Sequence, residues 1–354
     1  MNEISTKQLY IMIFFIPLVF KMSSLPALMY GAVSATAYVL IGLVVVVEFL
    51  QLMLVLFVSK QGGMDGIKEK YGKKAYCAVA FPMLFVVFVK MLVLTQEMVN
   101  YVCSFMFYNI AESAVVPVVM LVIFYLGTRG AKAIGRMFEL SVWLIPFIVV
   151  FGAVFGKAEL ETTYLTPIFD GEGKEYLSTI GKYLIFTFDF SPLLFFKPKI
   201  KKIAPITVCS ILSTVSVVAA YAVLFSVYGT ASEHASFGFT RLATFSTVIS
   251  EIGSLDWPSV MLWLIAGILS LSLKINAVNE ISGNFGTKKA GTFAFCVAIT
   301  IVLLTAIKTP VEAIRFASNG LQYAVFGIEI ALPFVLLTLY AAKKSRSEEY
   351  AAQN

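Results

Sequence analysis

Along its whole length the chain repeats one pattern: apolar runs of roughly 20 residues, separated by short stretches that carry lysine and arginine. A backbone segment in hydrocarbon finds no water to bond. Each such run must therefore satisfy its own N–H and C=O groups, and a helix does so within the segment. Composition agrees, with 59% of the 354 residues hydrophobic and 14% charged, against about a quarter charged in soluble domains. So few charges cannot cover a folded chain with a polar surface. The expected fold class is an all-α polytopic membrane protein with about ten transmembrane helices.

The spans run over 9–30, 33–59, 75–107, 112–128, 134–156, 179–198, 203–229, 258–283, 290–307 and 319–342. They divide the chain into a first set of five (1–156), an extracytoplasmic connection (157–178), a second set of five (179–342) and a cytoplasmic tail (343–354). The third span is too long for an upright helix and should tilt or extend beyond the membrane. Between the seventh and eighth spans, residues 240–251 have apolar positions at near-helical spacing, as in a short interfacial helix. With the amino terminus inside, eighteen lysines and arginines fall in inside segments and six in outside ones. The positive-inside rule then places both termini in the cytoplasm.

That distribution accounts for the net charge of +6 without a nucleic acid, because the basic residues are scattered between spans rather than gathered on one face. The four cysteines are isolated in or beside apolar runs, which implies neither a disulfide frame nor a metal site. No cleavable signal pattern precedes the first span. The sole histidine, His234, has no companion at ligand spacing, and neither a phosphate loop nor a nucleophile elbow is present. A repeated filter element, as a channel needs, is also missing. The sequence thus predicts no enzyme, no catalytic residues, no metal and no cofactor.

Two spans carry interruptions at corresponding places. The first contains Pro17 and Phe20-Lys21-Met22-Ser23-Ser24-Leu25-Pro26, and the sixth contains Phe186-Thr187-Phe188-Asp189-Phe190-Ser191-Pro192. Each joins a mid-span charge, a serine and a proline that removes a helix hydrogen bond. They open two successive sets of five spans, and broken helices so placed point to a transporter-type binding site. Lys21, Met22, Ser23, Ser24, Thr187, Phe188 and Asp189 are the candidate ligand-binding residues. Phe186 and Phe190 are further candidates for the wall of the site. A simple proline kink with a snorkelling lysine is the alternative.

Charges within spans cost about 2.5–3.5 kcal/mol each at mid-membrane, so they should face the bundle interior. Besides Lys21 and Asp189, this set contains Glu48, Lys90, Glu97, Lys274 and Glu329. Lys90 and Glu97 lie on one face of the third helix. These residues form either a functional buried network or salt bridges that only lock the bundle. Arg136 and Glu139 are expected to pair at the start of the fifth span.

Several short segments together resemble one family. Ile4-Ser5-Thr6-Lys7-Gln8-Leu9, Ser24-Leu25-Pro26, Tyr164-Leu165-Thr166-Pro167-Ile168 and Leu273-Lys274-Ile275 resemble segments of the spore germination permeases. These are the B-type subunits of nutrient germinant receptors, a branch of the amino acid–polyamine–organocation superfamily. Where the family's first helix often carries glycines, this chain has Val19 and Lys21, a form similar to the clostridial branch and suggestive of different ligand chemistry. The resemblance implies a LeuT-type 5+5 inverted repeat with helices 1 and 6 broken. It also implies residence in the spore inner membrane or cell membrane. The implied partners are a small nutrient ligand, an A-type membrane subunit and a C-type lipoprotein. The resemblance also implies a cation bridging the first and eighth helices of sodium-coupled relatives; Lys274 is expected to stand in for it, with a lysine snorkelling to the inner interface as the alternative. A working, proton-coupled amino-acid transporter is the alternative function.

Overall fold

The computed structural model describes residues 3–106, 109–142, 160–166, 168–169, 172–198, 203–242 and 257–352. Residues 143–156 of the expected fifth span, parts of the connection that follows it, and residues 243–251 of the expected interfacial helix lie outside that set.

The chain enters on a two-residue strand, β1 (Glu3–Ile4), and helix α1 (Thr6–Lys21). Ser5 caps α1: its hydroxyl accepts from the Gln8 N–H at 3.2 Å, and the Gln8 side chain accepts from the Ser5 N–H at 3.1 Å. This reciprocal pair satisfies two end groups that a helix otherwise leaves open. After a break at residues 22–24 come α2 (Leu25–Val33), a 3₁₀ turn (Ser34–Thr36) and α3 (Ala37–Lys60). Helix α4 (Gly63–Phe105) bends at Gly72, whose φ of 82° is a left-handed geometry that glycine tolerates. From there it runs unbroken for about 50 Å, which accounts for the unusual length of the third apolar run. Helices α5 (Glu112–Thr128) and α6 (Ala131–Ser141) meet at 113°.

Helix α7 (Gly173–Tyr183) begins six residues ahead of the expected sixth span, inside the stretch expected as a connection. It gives way to 3₁₀ turns (Leu184–Phe186 and Ser191–Phe195) on either side of residues 187–190. Strand β2 (Lys197–Pro198) then pairs in parallel with β1. The remainder is α8 (Ala204–Tyr228), the short α9 (Gly238–Leu242), α10 (Trp257–Asn284), α11 (Lys288–Thr305), α12 (Pro310–Ser318) and α13 (Leu321–Ala352).

Among the described residues six helical stretches are long and apolar enough to cross a bilayer: Leu25–Lys60, Gly63–Phe105, Ala204–His234, Ser259–Asn284, Lys288–Thr305 and Leu321–Ala341. The bent α5/α6 pair makes a seventh candidate. The sixth expected span and residues 9–24 of the first fall outside this set because each span is interrupted, residues 25–30 join the second span in one stretch, and only the first part of the fifth is described.

The helices sort into inner and outer layers. Of the most apolar stretch of α10, 72% is buried, against 22% for α11. Helix α10 turns Ser270, Ser272, Lys274, Asn276 and Asn279 inward, all buried. Helix α11 instead exposes Phe293, Val297 and Ile301, an i, i+4 stripe suited to lipid. Polar groups inside and aliphatic groups outside is the arrangement hydrocarbon demands.

Helices α5 and α10 pack very closely at Gly127. Its carbonyl accepts from the Asn276 amide at 2.6 Å, and a Cβ built there would lie 2.6 Å from Ile275 Cγ2. Small residues at such crossings let backbones approach in membranes. We expect Gly127→Leu to destabilise the purified protein by about 1–3 kcal/mol, read as a lowered midpoint of thermal unfolding in detergent.

Candidate functional site

The first helix break is held open by the side chains of Tyr221 and Glu97, a backbone N–H and its own serine hydroxyl. Pro17 and the Leu25-Pro26 restart weaken continuous helix here. The freed carbonyl of Lys21 accepts from the Tyr221 hydroxyl at 2.7 Å, and that of Ser23 from the Phe237 N–H at 3.2 Å. The Ser23 hydroxyl folds back to donate to the Phe20 carbonyl at 2.8 Å. On the other side, Glu97 of α4 accepts from the Ser24 N–H at 3.1 Å and from the Ser24 hydroxyl. The break is therefore a built feature whose polar groups are satisfied, as backbone away from water requires.

The second break is organised by charge. Phe188 sits at φ 63°, a left-handed conformation that costs a bulky residue energy unless the surroundings enforce it. Lys90 of α4 enforces it. Its ammonium donates to the carbonyls of Thr187 and, at 3.1 Å, of Phe188. The same nitrogen lies 3.2 Å from Asp189 Oδ1 and 2.9 Å from Glu329 Oε2. Lys274 of α10 reaches the same Asp189 oxygen at 2.9 Å. Lys21 pairs with Glu48 of α3 at 2.8 Å, and the same Glu48 oxygen accepts from the Phe188 N–H. Ser191 donates to Glu329 at 3.0 Å, and Gln51 donates to Ser191 at 3.3 Å. All these side chains are buried. Five elements thus converge on residues 187–191 through three lysines and three carboxylates.

Beside the first break lies a cavity of about 20 Å³, bordered by Phe20, Met22, Ser23, Glu97, Tyr101 and Trp263 among others. That volume holds a water-sized group. Phe20 borders the cavity and also reaches the charge network, with the Lys274 ammonium 5.8 Å from its ring centroid. The distance is within cation–π range.

The seven expected ligand residues divide between these two centres. Met22 and Ser23 border the cavity, while Ser24 is taken up by Glu97. Thr187, Phe188 and Asp189 belong to the charge network, and Lys21 is bound to Glu48 rather than to Asp189. Phe188 packs its ring on Phe326 at 4.9 Å, and Phe186 and Phe190 are buried in the core. Lys274 is buried and does not snorkel. Lys90 and Glu97, though on one helix, serve different breaks. The expected Arg136–Glu139 pair is replaced by contacts to the amino-terminal segment. Glu139 accepts from the Gln8 amide at 3.3 Å and lies 3.8 Å from the Lys7 ammonium. Gly135 has no side chain to block Gln8 there, since a Cβ would stand 3.0 Å from its Cδ.

Residues not singled out from the sequence also contribute. Gln51 follows Glu48 by one helical turn, and Tyr101 follows Glu97 by one, so helical spacing from a known charge was the available signal. For Tyr221 no such signal exists, because it reaches the site from a distant helix, whereas Trp263 precedes Lys274 on α10 by about three turns and shares its face.

Apolar helices with buried charges and two opened segments define an integral membrane protein. Residues 3–313 match the family described as spore germination protein, and the chain belongs to that family. Among curated proteins none matches it.

The charge network makes a stability prediction. Removing one member of a buried pair costs about 3–5 kcal/mol because its partner is left uncompensated. We expect Lys90→Met to be more damaging than Lys21→Met, since Lys90 serves two carboxylates and two carbonyls. The double variant Lys21→Met/Glu48→Gln should regain much of the loss of Lys21→Met alone. It leaves no unpaired charge, and the amide oxygen introduced on α3 can still accept from the Phe188 N–H. Thermal unfolding of the purified variants measures both.

Proposed function

We propose that the chain is the B-type membrane subunit of a spore germinant receptor. In this reading it binds a small, amino-acid-like nutrient beside the first helix break. It then passes the resulting change to an A-type membrane subunit and a C-type lipoprotein. Family membership supports the germination role. The observation that carries the site is the cavity bordered by Met22, Ser23 and Glu97 at an interrupted helix. Within this reading the chain is no enzyme. It adopts ten spans in a LeuT-type 5+5 repeat, with both termini in the cytoplasm of the spore inner membrane or cell membrane. The paired interruptions and the lysine bias between apolar runs support that arrangement.

Sensing needs two states that a nutrient binds unequally. The cavity as it stands is too small for an amino acid, so binding draws on a state in which its walls have moved. The flexible thioethers of Met22 and Met98 are the readiest parts to move. The ion-paired second break is the stiffer part, because displacing it separates charges in a medium that punishes separation. In this division Lys274 acts as a fixed cation between α10, Asp189 and Phe20, where a bound ion would otherwise be needed.

Gly267 offers a clean test. A Cβ there would lie 2.6 Å from the Met98 sulfur and push that side chain toward the cavity. We expect Gly267→Val to fold but to lower the nutrient sensitivity of spore germination at least roughly tenfold, equivalent to about 1.4 kcal/mol. Unchanged sensitivity would remove the cavity from the proposal. Uptake of labelled amino acids by proteoliposomes of the unmodified protein would replace the sensor by a working transporter.

A further inference from the structure

Among the described residues seven charged side chains are buried in the bundle interior, and six of them pair with one another. The seventh, Glu97, meets no lysine, arginine or histidine among the described residues. Its bonds come from neutral groups, the N–H and hydroxyl of Ser24 and the hydroxyl of Ser23. It is 2% exposed and borders the cavity. Among the described residues the cavity wall holds no basic side chain. It does include the aromatic residues Phe20, Tyr101 and Trp263 and the methionines Met22 and Met98.

We propose that Glu97 is the receptor for a positive charge on the ligand, and that the ligand class is a primary ammonium with a small apolar body. This inference rests on the cavity being the nutrient site. Three features of the wall agree on the sign of the charge. A carboxylate without a cation supplies the counter-ion. The faces of aromatic rings attract ammonium groups, and thioethers shape themselves around an apolar stem. A free carboxylate on the ligand finds no such partner, because Lys21 and Lys274 are held by Glu48 and Asp189. The Ser24 N–H, which an anion would seek at the restart of the helix, is already bonded to Glu97. The site thus recognises the amine end of an amino acid and makes its carboxylate dispensable.

The test uses the purified full-length protein in lipid nanodiscs with three probes of similar size: isobutylamine, isobutyrate and valine. Isothermal titration should show binding of isobutylamine and valine but not of isobutyrate. Glu97→Gln keeps the volume and an acceptor for Ser24 while removing the charge. It should weaken isobutylamine about ten- to hundredfold, the range for a hydrogen bond to a charged group. Thermal unfolding of the same samples checks that the variant is folded, and the comparison of amine with acid needs no variant at all. Failure of isobutylamine to bind, binding of isobutyrate as tight as that of isobutylamine, or unweakened isobutylamine binding to Glu97→Gln would each overturn the proposal. Gly267→Val separates this from failure of the underlying reading. If it abolishes valine binding while the amine and acid probes behave alike, the cavity stands and the ammonium preference falls. If valine binds Gly267→Val unchanged, the cavity itself is the wrong site.

Discussion

A charge inside a bilayer needs polar partners, and in this protein that demand is concentrated on Lys90. The ammonium has three protons to donate, and around it stand two backbone carbonyls, Asp189 and Glu329. The opened stretch at residues 187–190 has lost the helical partners of those carbonyls, and Phe188 is turned into a left-handed conformation. Without the lysine the break would leave buried acceptors and two carboxylates facing one another. With it, the same groups hold each other in one arrangement. The opened backbone and the buried charges each make the other tolerable.

The two breaks solve the same backbone problem by different means. At the first, hydroxyls, an amide N–H and a lone carboxylate satisfy the freed groups, and the adjoining wall is soft with methionine and aromatic side chains. At the second, ion pairs take that role and leave little freedom. The contrast suits a molecule in which one part adapts to what it binds and the other preserves the frame against which that change registers.

Much of this was legible in the sequence. Apolar run lengths marked the helices, and the prolines and mid-span charges marked both interruptions within a residue or two, because each has a local cause in backbone chemistry. The buried set of charges was legible too, since hydrocarbon leaves such residues only the interior. The pairing was not. Lys21 had three carboxylates within the spans to choose from besides Asp189, and only the packing of α3 against the breaks decides that it meets Glu48. The early start of α7 was hidden because its amphipathic first turns resemble a polar connection. The first break drew Tyr221 from a helix far away in sequence, a relation that periodicity within one segment cannot carry.

Helix α4 touches both breaks, with Lys90 at one and Glu97 two turns further along at the other. Between Gly72 and Phe105 it is a single continuous rod. Its short arm before Gly72 is fastened elsewhere: the Tyr340 hydroxyl of α13 donates to the Gly63 carbonyl at 2.7 Å, and Tyr71 bonds the Leu339 carbonyl. The glycine therefore acts as an elbow between a shaft and an anchored foot. Lys90 and Glu97 lie on the same helical stretch beyond Gly72, so the soft break and the ion-paired break share one structural member, and the non-helical joint of that helix lies toward its anchored foot.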